Sequence, residues 1–463
     1  MPAKPLMIGG TTSHAGKSWM TTAICRHLRQ RGFRVAPFKA QNMSNNSYPC
    51  PGGGEIGRAQ VAQAEACGLE PHPDFNPILL KPTSDMGSQV VLHGQVWRNL
   101  RAREYYTHFD YLFNEVLAAY ERLAARFDYV VIEGAGSVAE LNLKSRDLVN
   151  LNLARAVSAP ALLVSDIDRG GVFAAIIGTI HLLEPAEREL VRAFAVNRFR
   201  GDPTLFEDGV RILEAKSGKP CLGVFPYLRE FTIDEEDGVS VEDRSSTASD
   251  VAVIKFPRIS NLTDFRLLPD AAWVTRPVDR QFATIFLPGT KSTLPDLAWL
   301  RAQGLDAWIL HQHACGAQIV GVCGGYQMLG QVILDPTQAD SEIEAGAGLG
   351  LLPVETTMAS AKTTRTVQAT TPSGVSFAAY EIHMGVSTSC CEPFAFIDGR
   401  PEGARQANVL GTYLHGALED HRVLSELLGR PVAAMPSKDE AYDGLAQWFA
   451  ANANLKLFEE RFL

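Results

Sequence analysis

The sequence predicts an α/β protein of two domains, each built on a mostly parallel sheet with helices on both faces. Three observations carry this reading. Short apolar strands alternate along the chain with stretches whose apolar residues recur at helical spacing, the pattern of parallel sheets joined by helical crossovers. At 463 residues the chain exceeds what one ordinary core fills. An acidic, then Ser/Thr-rich stretch, DEEDGVSVEDRSSTASD, breaks the alternation at 234–250. We therefore expect a first domain over 1–233, a linker over 234–250 and a second domain over 251–463.

The first domain opens on an apolar strand at 5–9. The following stretch, 17–31, sets Met20, Ala23, Ile24 and Leu28 on one helical face. Further strands are expected at 34–39, 128–133, 160–165, 193–197 and 220–225. Beyond the linker, apolar runs place strands at 251–256, 283–287, 318–322, 377–382 and 409–414.

Composition narrows the class. A hydrophobic content of 46% with 21% charged residues fits a soluble globular chain. A net charge of −9 offers no general basic field for nucleic acid. No apolar run reaches the roughly 20 residues needed to span a bilayer, and the N-terminal apolar stretch breaks at Gly9-Gly10, unlike a signal peptide. The eight cysteines are scattered without a C-x-x-C pair, which argues against zinc and for a reducing, cytoplasmic setting. Neither nucleic acid nor membrane is an expected partner. A homo-oligomer is compatible with the sequence.

A first chemical centre lies in GGTTSHAGKS, residues 9–18. Strand, glycine-bearing loop, Lys-Ser and helix follow in the order a phosphate loop requires. Backbone N–H groups across Thr11, Thr12 and Gly16 and the positive helix end would face phosphates, Lys17 would reach the outer ones, and Ser18 would hold Mg²⁺. The usual first glycine of such a loop is replaced by Thr11. An ordinary helix-capping turn is the plainer alternative. Glu133 ends an apolar strand before GAGS, where a carboxylate can reach a metal at the neighbouring loop; a solvated turn residue is the other reading. VSDIDRGG brings Asp166 and Asp168 near Arg169, either to orient phosphate or substrate or as a salt-bridged turn. Asn197, at another strand end, could read a base edge.

GTTSHAGKS, a strand ending Phe38-Lys39 and the later VIEGAGS together resemble the dethiobiotin synthetase-like branch of phosphate-loop enzymes. In that branch threonine at the first glycine position is the familiar form, and ATP activates a carboxylate. The resemblance implies a P-loop NTPase-like sheet, Lys17 on the phosphates, Ser18 and Glu133 at Mg²⁺, and Lys39 near the reacting carboxylate. It also implies Glu55, in GGGEIGRAQ, as a further metal ligand.

A second centre lies in QIVGVCGGYQMLG, 318–330. An apolar strand runs into Cys323, two glycines and a helix-like stretch, an elbow that exposes a thiol at a helix N-terminus. An isolated cysteine is more often buried packing. The flanking glycines and the strand-end His415 in GTYLHGALED favour a nucleophile with its base. The pair resembles the class I glutamine amidotransferase domain, a flavodoxin-like α/β fold. In that family LPGT, 287–290, corresponds to a loop of the oxyanion hole, implicating Gly289 and Gly324. The family's glutamate two residues after the histidine is Ala417 here. Either another group orients His415, or the site is a Cys–His dyad. Glu381 and His383, in YEIHMG, could serve glutamine, the other domain, or neither.

FKAQNMSNNSY, GGEIGRAQ, NPILLKPTSDMGSQVVLHG, VIEGAGSVAELNL, DIDRGGVFA and YEIHMG, taken together, resemble the cobyric acid synthase family. The resemblance implies ATP- and glutamine-dependent amidation of the b, d, e and g carboxylates of adenosylcobyrinic acid a,c-diamide, giving adenosylcobyric acid in cobalamin biosynthesis. It implies ATP and Mg²⁺ as cofactors, and Lys39, Gln41, Asn42, Lys81, Asp166 and Arg169 on the substrate side. Lys144 and Arg146 are further cations that a polycarboxylate could meet. Two rivals are a cobyrinic acid a,c-diamide synthase and a partition-type ATPase switch; the second leaves Cys323 and His415 without work. His14, beside the expected phosphate path, has no assigned role.

Overall fold

Strand Lys4–Gly10 is buried over its last five residues and runs through the middle of a six-stranded, all-parallel sheet. Residues 2–83, 87–228 and 249–463 are described in the computed structural model; the expected linker, apart from its last two residues, lies outside them. In order across the sheet stand Cys221–Pro226, Val191–Phe199, Ala161–Asp166, Lys4–Gly10, Tyr129–Glu133 and Val35–Phe38. The six strands expected in this domain are therefore all present. Register aligns Ile8 with Glu133, Gly10 with Val164, and Asp166 with Asn197. The polar residues singled out at strand ends thus share one carboxyl edge, where open α/β sheets bind ligands.

Helix Lys17–Gln30 leaves the first strand through Gly16, whose φ of 94° only glycine adopts without strain. Met20, Ala23, Ile24 and Leu28 are fully buried along one face, as their spacing requires. A second layer that the periodicity did not reveal is inserted between 41 and 101. Gln41–Met43, Ile78–Pro82, Gly87–Leu92 and Gln95–Arg101 form a separate four-stranded sheet. Its strands are short, and Gln95–Arg101 is mostly exposed, so neither a long apolar run nor a clean buried alternation marks them.

The second sheet places Ala272–Val274, Val251–Ile254, Thr284–Leu287, Gln318–Val322 and Val409–Thr412 in parallel, with Ala404–Gln406 antiparallel at one edge. The strand expected at 377–382 does not join it. It lies within Ser376–Ser389, which pairs antiparallel with Val354–Thr370 in another sheet. Only 371–375 connect the two, too few residues for a parallel crossover.

The chain end also departs from the expected 251–463 unit. Helices Lys438–Asn452 and Leu455–Phe462 pack on the first sheet, not the second. Tyr442, Leu445, Trp448, Phe449, Phe458 and Phe462 share a core with Leu6, Ile8, Met20 and Ile24. Arg26 binds Asp443 at 2.7 Å and Asp439 at 3.0 Å, and Trp448 Nε1 donates to Pro226 O at 3.1 Å. An amphipathic helix advertises an apolar face but not the sheet it will cover. Among the described residues no helix is long and apolar enough to cross a membrane.

Candidate active sites

At the carboxyl edge of the first sheet the loop 11–16 wraps toward the start of helix Lys17–Gln30. Thr11 is absent from the positive-φ positions, so its backbone has no need of glycine. Its Oγ1 lies 2.9 Å from Ser165 Oγ, which ties the loop to the neighbouring strand. The missing glycine is thus a brace rather than a defect. Lys17 Nζ donates to Thr12 O and Gly136 O, each at 3.0 Å, while the Thr12 side chain is exposed. Asn197, expected at a base edge, spends its Nδ2 donor on Ala15 O at 2.9 Å. A Cβ on Gly16 would sit 2.0 Å from that same nitrogen, so Asn197 and Gly16 fit each other and shape the loop. His14, at φ 57°, faces the cavity.

Glu133 is the hub of this edge. Its Oε1 accepts from Ser18 Oγ at 2.8 Å and from Lys39 Nζ at 3.0 Å, and its Oε2 accepts from Gln63. Burial would raise the Glu133 carboxyl, but Lys39, Gln63 and Ser18 hold it below its ordinary value. Ser18, Lys39, Asn42 and Glu133 line a cavity of about 490 Å³. A larger one, about 520 Å³, adjoins it, sharing Met43, Pro82, Ala135 and Gly136. Gln41, whose Oε1 accepts from Tyr105 OH, lines the larger cavity with Leu80, Tyr106, Leu141, Lys144 and Arg146.

Glu55 stands elsewhere. It is fully enclosed, bound to Lys362 of the second domain, to Lys81 Nζ at 2.8 Å and to Ser47 Oγ at 2.7 Å. Burial would raise its carboxyl, but the two lysines hold it well below the usual carboxylate range. Ammonium groups from both domains and a hydroxyl thus surround the carboxylate, and Glu55 does not line the cavity that Ser18, Lys39 and Glu133 share. Lys81 is drawn away from the substrate side by the same pairing and lines the cavity at Cys323 instead. Asp166 pairs with Arg198 at 3.2 Å and accepts from Asp168 N. Arg169 is exposed. Neither Asp166 nor Arg169 lines these two cavities of the first domain; the ion pairs of the turn run from Asp166 to Arg198 and from Asp168 to Arg200. Asn42 donates to Gln60 at 2.8 Å and does line the first cavity.

In the second domain, strand Gln318–Val322 ends at Cys323, which caps helix Gly324–Leu329 with φ 52° and ψ −109°. A non-glycine residue in that region is strained, the mark of a nucleophile elbow. Packing demands glycine two residues on, since a Cβ at Gly325 would lie 1.9 Å from Leu287 O. His415, fully buried, follows strand Val409–Thr412. Its Nδ1 is 2.7 Å from Asp264 Oδ2, and Asp264 Oδ1 accepts from Gly416 N at 2.7 Å. Burial would lower the imidazole, but Asp264 raises its pKa to about 10, with a further contribution from the nearby Cys323 thiol. Nε2 makes no hydrogen bond, and Tyr380 stacks on the ring at 5.3 Å.

Asp264, in the short turn Leu262–Phe265, therefore takes the place left empty at Ala417. Sequence reasoning missed it. The only signal was an acidic residue in a turn beyond strand Val251–Ile254, indistinguishable from a surface turn. The amide N–H groups of Gly289 and Gly324 meet no backbone carbonyl among the described residues, and a Cβ at Gly289 would strike His415 Cε1 at 2.8 Å. Cys323 opens on a narrow cavity of about 50 Å³ with Lys291, Gln327, Asp340 and His383, closed on one side by Asn45 and Lys81 of the first domain. His383 stacks on Tyr413 at 3.9 Å and lies 3.4 Å from Glu381, which Arg365 holds at 2.5 Å. His383 thus belongs to the Cys323 cavity, propped by Glu381.

A phosphate-type loop on one parallel sheet and a Cys–His elbow on another define a nucleotide-binding synthetase joined to a glutamine amidotransferase. Residues 6–241 match the CobQ/CobB/MinD/ParA nucleotide binding domain, and 250–423 match the CobB/CobQ-like glutamine amidotransferase domain. Cobyric acid synthases of Dehalococcoides mccartyi strain CBDB1 and Syntrophobacter fumaroxidans are 42% and 44% identical to this chain, each over 98% of both sequences. That of Desulforudis audaxviator is 45% identical over 96% of this chain and 94% of its own. A crystal structure of a glutamine amidotransferase aligns with 39% of this chain and 100% of its own at 20% identity and a TM-score of 0.33; it adds nothing to the assignment. The chain belongs to the cobyric acid synthase family and is a glutamine-dependent, amide-forming enzyme of cobalamin biosynthesis.

Proposed function

We propose that this enzyme amidates the b, d, e and g carboxylates of adenosylcobyrinic acid a,c-diamide, using ATP for activation and glutamine as nitrogen source. The observation that carries the reading is the pairing of two complete centres in one fold. Cys323, His415 and Asp264 form one; Lys17, Ser18, Lys39 and Glu133 form the other. The synthetase unit, in this account, is 1–233 together with the last two helices.

At the first centre Cys323 Sγ, as thiolate, attacks the glutamine amide carbon, and Gly289 and Gly324 N–H groups receive the developing oxyanion. The imidazolium of His415, held by Asp264, delivers a proton to the departing nitrogen. The thioester is then hydrolysed to glutamate. At the second centre, backbone N–H groups of loop 11–16 and Lys17 would hold the ATP phosphates. Mg²⁺ fits Ser18 and Glu133: a hydroxyl and a carboxylate are hard oxygen donors, and a cation that takes most ligands from phosphate and water needs no more. No cluster of three acidic, His or Cys ligands occurs among the described residues, in keeping with such a site. A substrate carboxylate displaces ADP to form an acyl phosphate, Lys39 stabilising its charge. Ammonia then displaces phosphate and leaves the amide.

The larger cavity, apolar with Lys144 and Arg146 at its wall and joined to the nucleotide cavity at Ala135 and Gly136, supports seating of a flat macrocycle bearing carboxylates. Cys323→Ala separates the halves. It is expected to abolish glutamine-supported synthesis and to retain synthesis from added ammonia; loss of both, in a folded protein, contradicts the division of labour.

A further inference from the structure

The cavities of the two centres share one lining residue. Asn45 lines the nucleotide cavity with Lys17 and Glu133, and it lines the narrow cavity at Cys323. Its Oδ1 is enclosed and has no hydrogen-bond partner, although an enclosed acceptor left unmade costs about 1–3 kcal/mol. The joint just after it in the chain is fastened reciprocally. Asn46 Oδ1 accepts from Leu262 N at 3.2 Å, and Asn261 Oδ1 accepts from Ser47 N at 3.2 Å. Each domain thus contributes an asparagine that caps the other's backbone, and Asn45 directly precedes the two clasps.

The charge around the Cys323 side bears on what can cross. Lys81, Lys291 and Lys362 line that cavity, faced by Asp340 and by Glu55, which binds two of the three lysines. Burial lowers the Lys81 ammonium to about 7 and lowers Lys291 as well, so this enclosed lining disfavours any further cation. Such a surround repels ammonium and is indifferent to neutral ammonia.

We propose that Asn45 is the transfer point between the centres. Ammonia formed at Cys323 donates an N–H to Asn45 Oδ1 and passes into the nucleotide cavity without entering bulk solvent. The inference rests on the amide-synthase reading above. In the first step the glutamine C–N bond breaks as the Cys323 S–C bond forms, and His415 supplies the proton that makes the leaving group NH₃. In the second, the nitrogen lone pair forms the new C–N bond, the C–O bond to phosphate breaks, and the surplus proton leaves from nitrogen. A neutral, unprotonated amine is what the second step requires, so a passage that excludes ammonium serves the chemistry directly.

Isotopic dilution tests this on the whole enzyme. The parent protein is given ATP, the corrinoid diamide and glutamine labelled with ¹⁵N in its amide, in a large excess of unlabelled ammonium chloride. The product amides are expected to carry mainly ¹⁵N. Label diluted toward the bulk ratio in the parent protein overturns the proposal. Asn45→Leu, which fills the wall without an acceptor, is expected to lower the labelled fraction several-fold and to raise glutamate formed per amide. Asn45→Ser, which keeps an oxygen, is expected to retain more label than Asn45→Leu. Labelling by Asn45→Leu equal to that of the parent removes Asn45 from the route. Absence of amide from either nitrogen source in the parent protein would strike the synthase reading instead, which keeps the two failures apart.

Discussion

Replacing Asp264 by asparagine alters one atom in a fully enclosed pair, and the structure dictates which way the new side chain turns. Asp264 Oδ1 already accepts the Gly416 N–H, and Oδ2 accepts from His415 Nδ1, both at 2.7 Å. In Asp264→Asn the oxygen stays on Gly416, so the amide NH₂ faces Nδ1. That nitrogen must then accept, which places the imidazole proton on Nε2, the atom that has to exchange a proton with Cys323. The charge is lost as well. With Asp264 the imidazole titrates at about 10; without it, burial leaves the ring at or below the ordinary ~6.5. A fall of roughly three pH units at about 1.4 kcal/mol each is on the order of 4 kcal/mol, or about a thousandfold in the share of enzyme that holds the Cys323 thiolate beside a protonated His415, the form that attacks glutamine. The assay is glutamate release, run beside amide synthesis from added ammonia. Glutamate release is expected to fall by about 10³ with ammonia-supported synthesis retained. Glutaminase activity within about fivefold of the parent would refute the role given to Asp264.

Other perturbations probe the remaining assignments. Glu55→Gln leaves Lys81 and Lys362 enclosed without their carboxylate, so the thermal midpoint should drop, at a cost of about 3–5 kcal/mol. The Mg²⁺ concentration needed for half-maximal synthesis should not change, and a several-fold rise would show Glu55 to be a metal ligand. Glu402 accepts from Tyr413 N and Thr412 Oγ1, each at 2.7 Å, yet burial pushes its carboxyl to about 7. Because the folded value lies above the unfolded one, the folded state binds more protons between them, and stability is lost as pH rises from about 4.5 to 7. Glu402→Gln should therefore melt higher than the parent near pH 8, by about 2 °C or more, and almost equally near pH 5. Equal shifts at both pH values would contradict the burial of a charge at that position.

Much of this architecture could be read from the chain, for physical reasons that differ by element. The strands of the first sheet are short apolar runs buried on both faces, and Glu133, Asp166 and Asn197 fall at their ends because the sheet is parallel and in register. Lys17 and Cys323 were visible because their chemistry is local: a loop, a strand and a helix end within a few residues. What escaped was contact between distant segments. Asp264 reaches His415 across 151 positions, and Glu55 meets Lys362 across 307. No periodicity encodes such pairings. The terminal helices show the same limit, since the face bearing Phe449 and Phe458 could have covered either sheet. The resemblance that pointed Glu55 toward a metal carried a position but not its neighbours.

The product's mass tests the central claim most directly. The protein is incubated with adenosylcobyrinic acid a,c-diamide, ATP, Mg²⁺ and glutamine, and the corrinoid is followed by mass spectrometry. Each conversion of a carboxylate to an amide lowers the mass by one dalton. The account predicts four successive losses ending at adenosylcobyric acid, matched by glutamate and ADP release. A corrinoid of unchanged mass, with ATP hydrolysed or not, would contradict it.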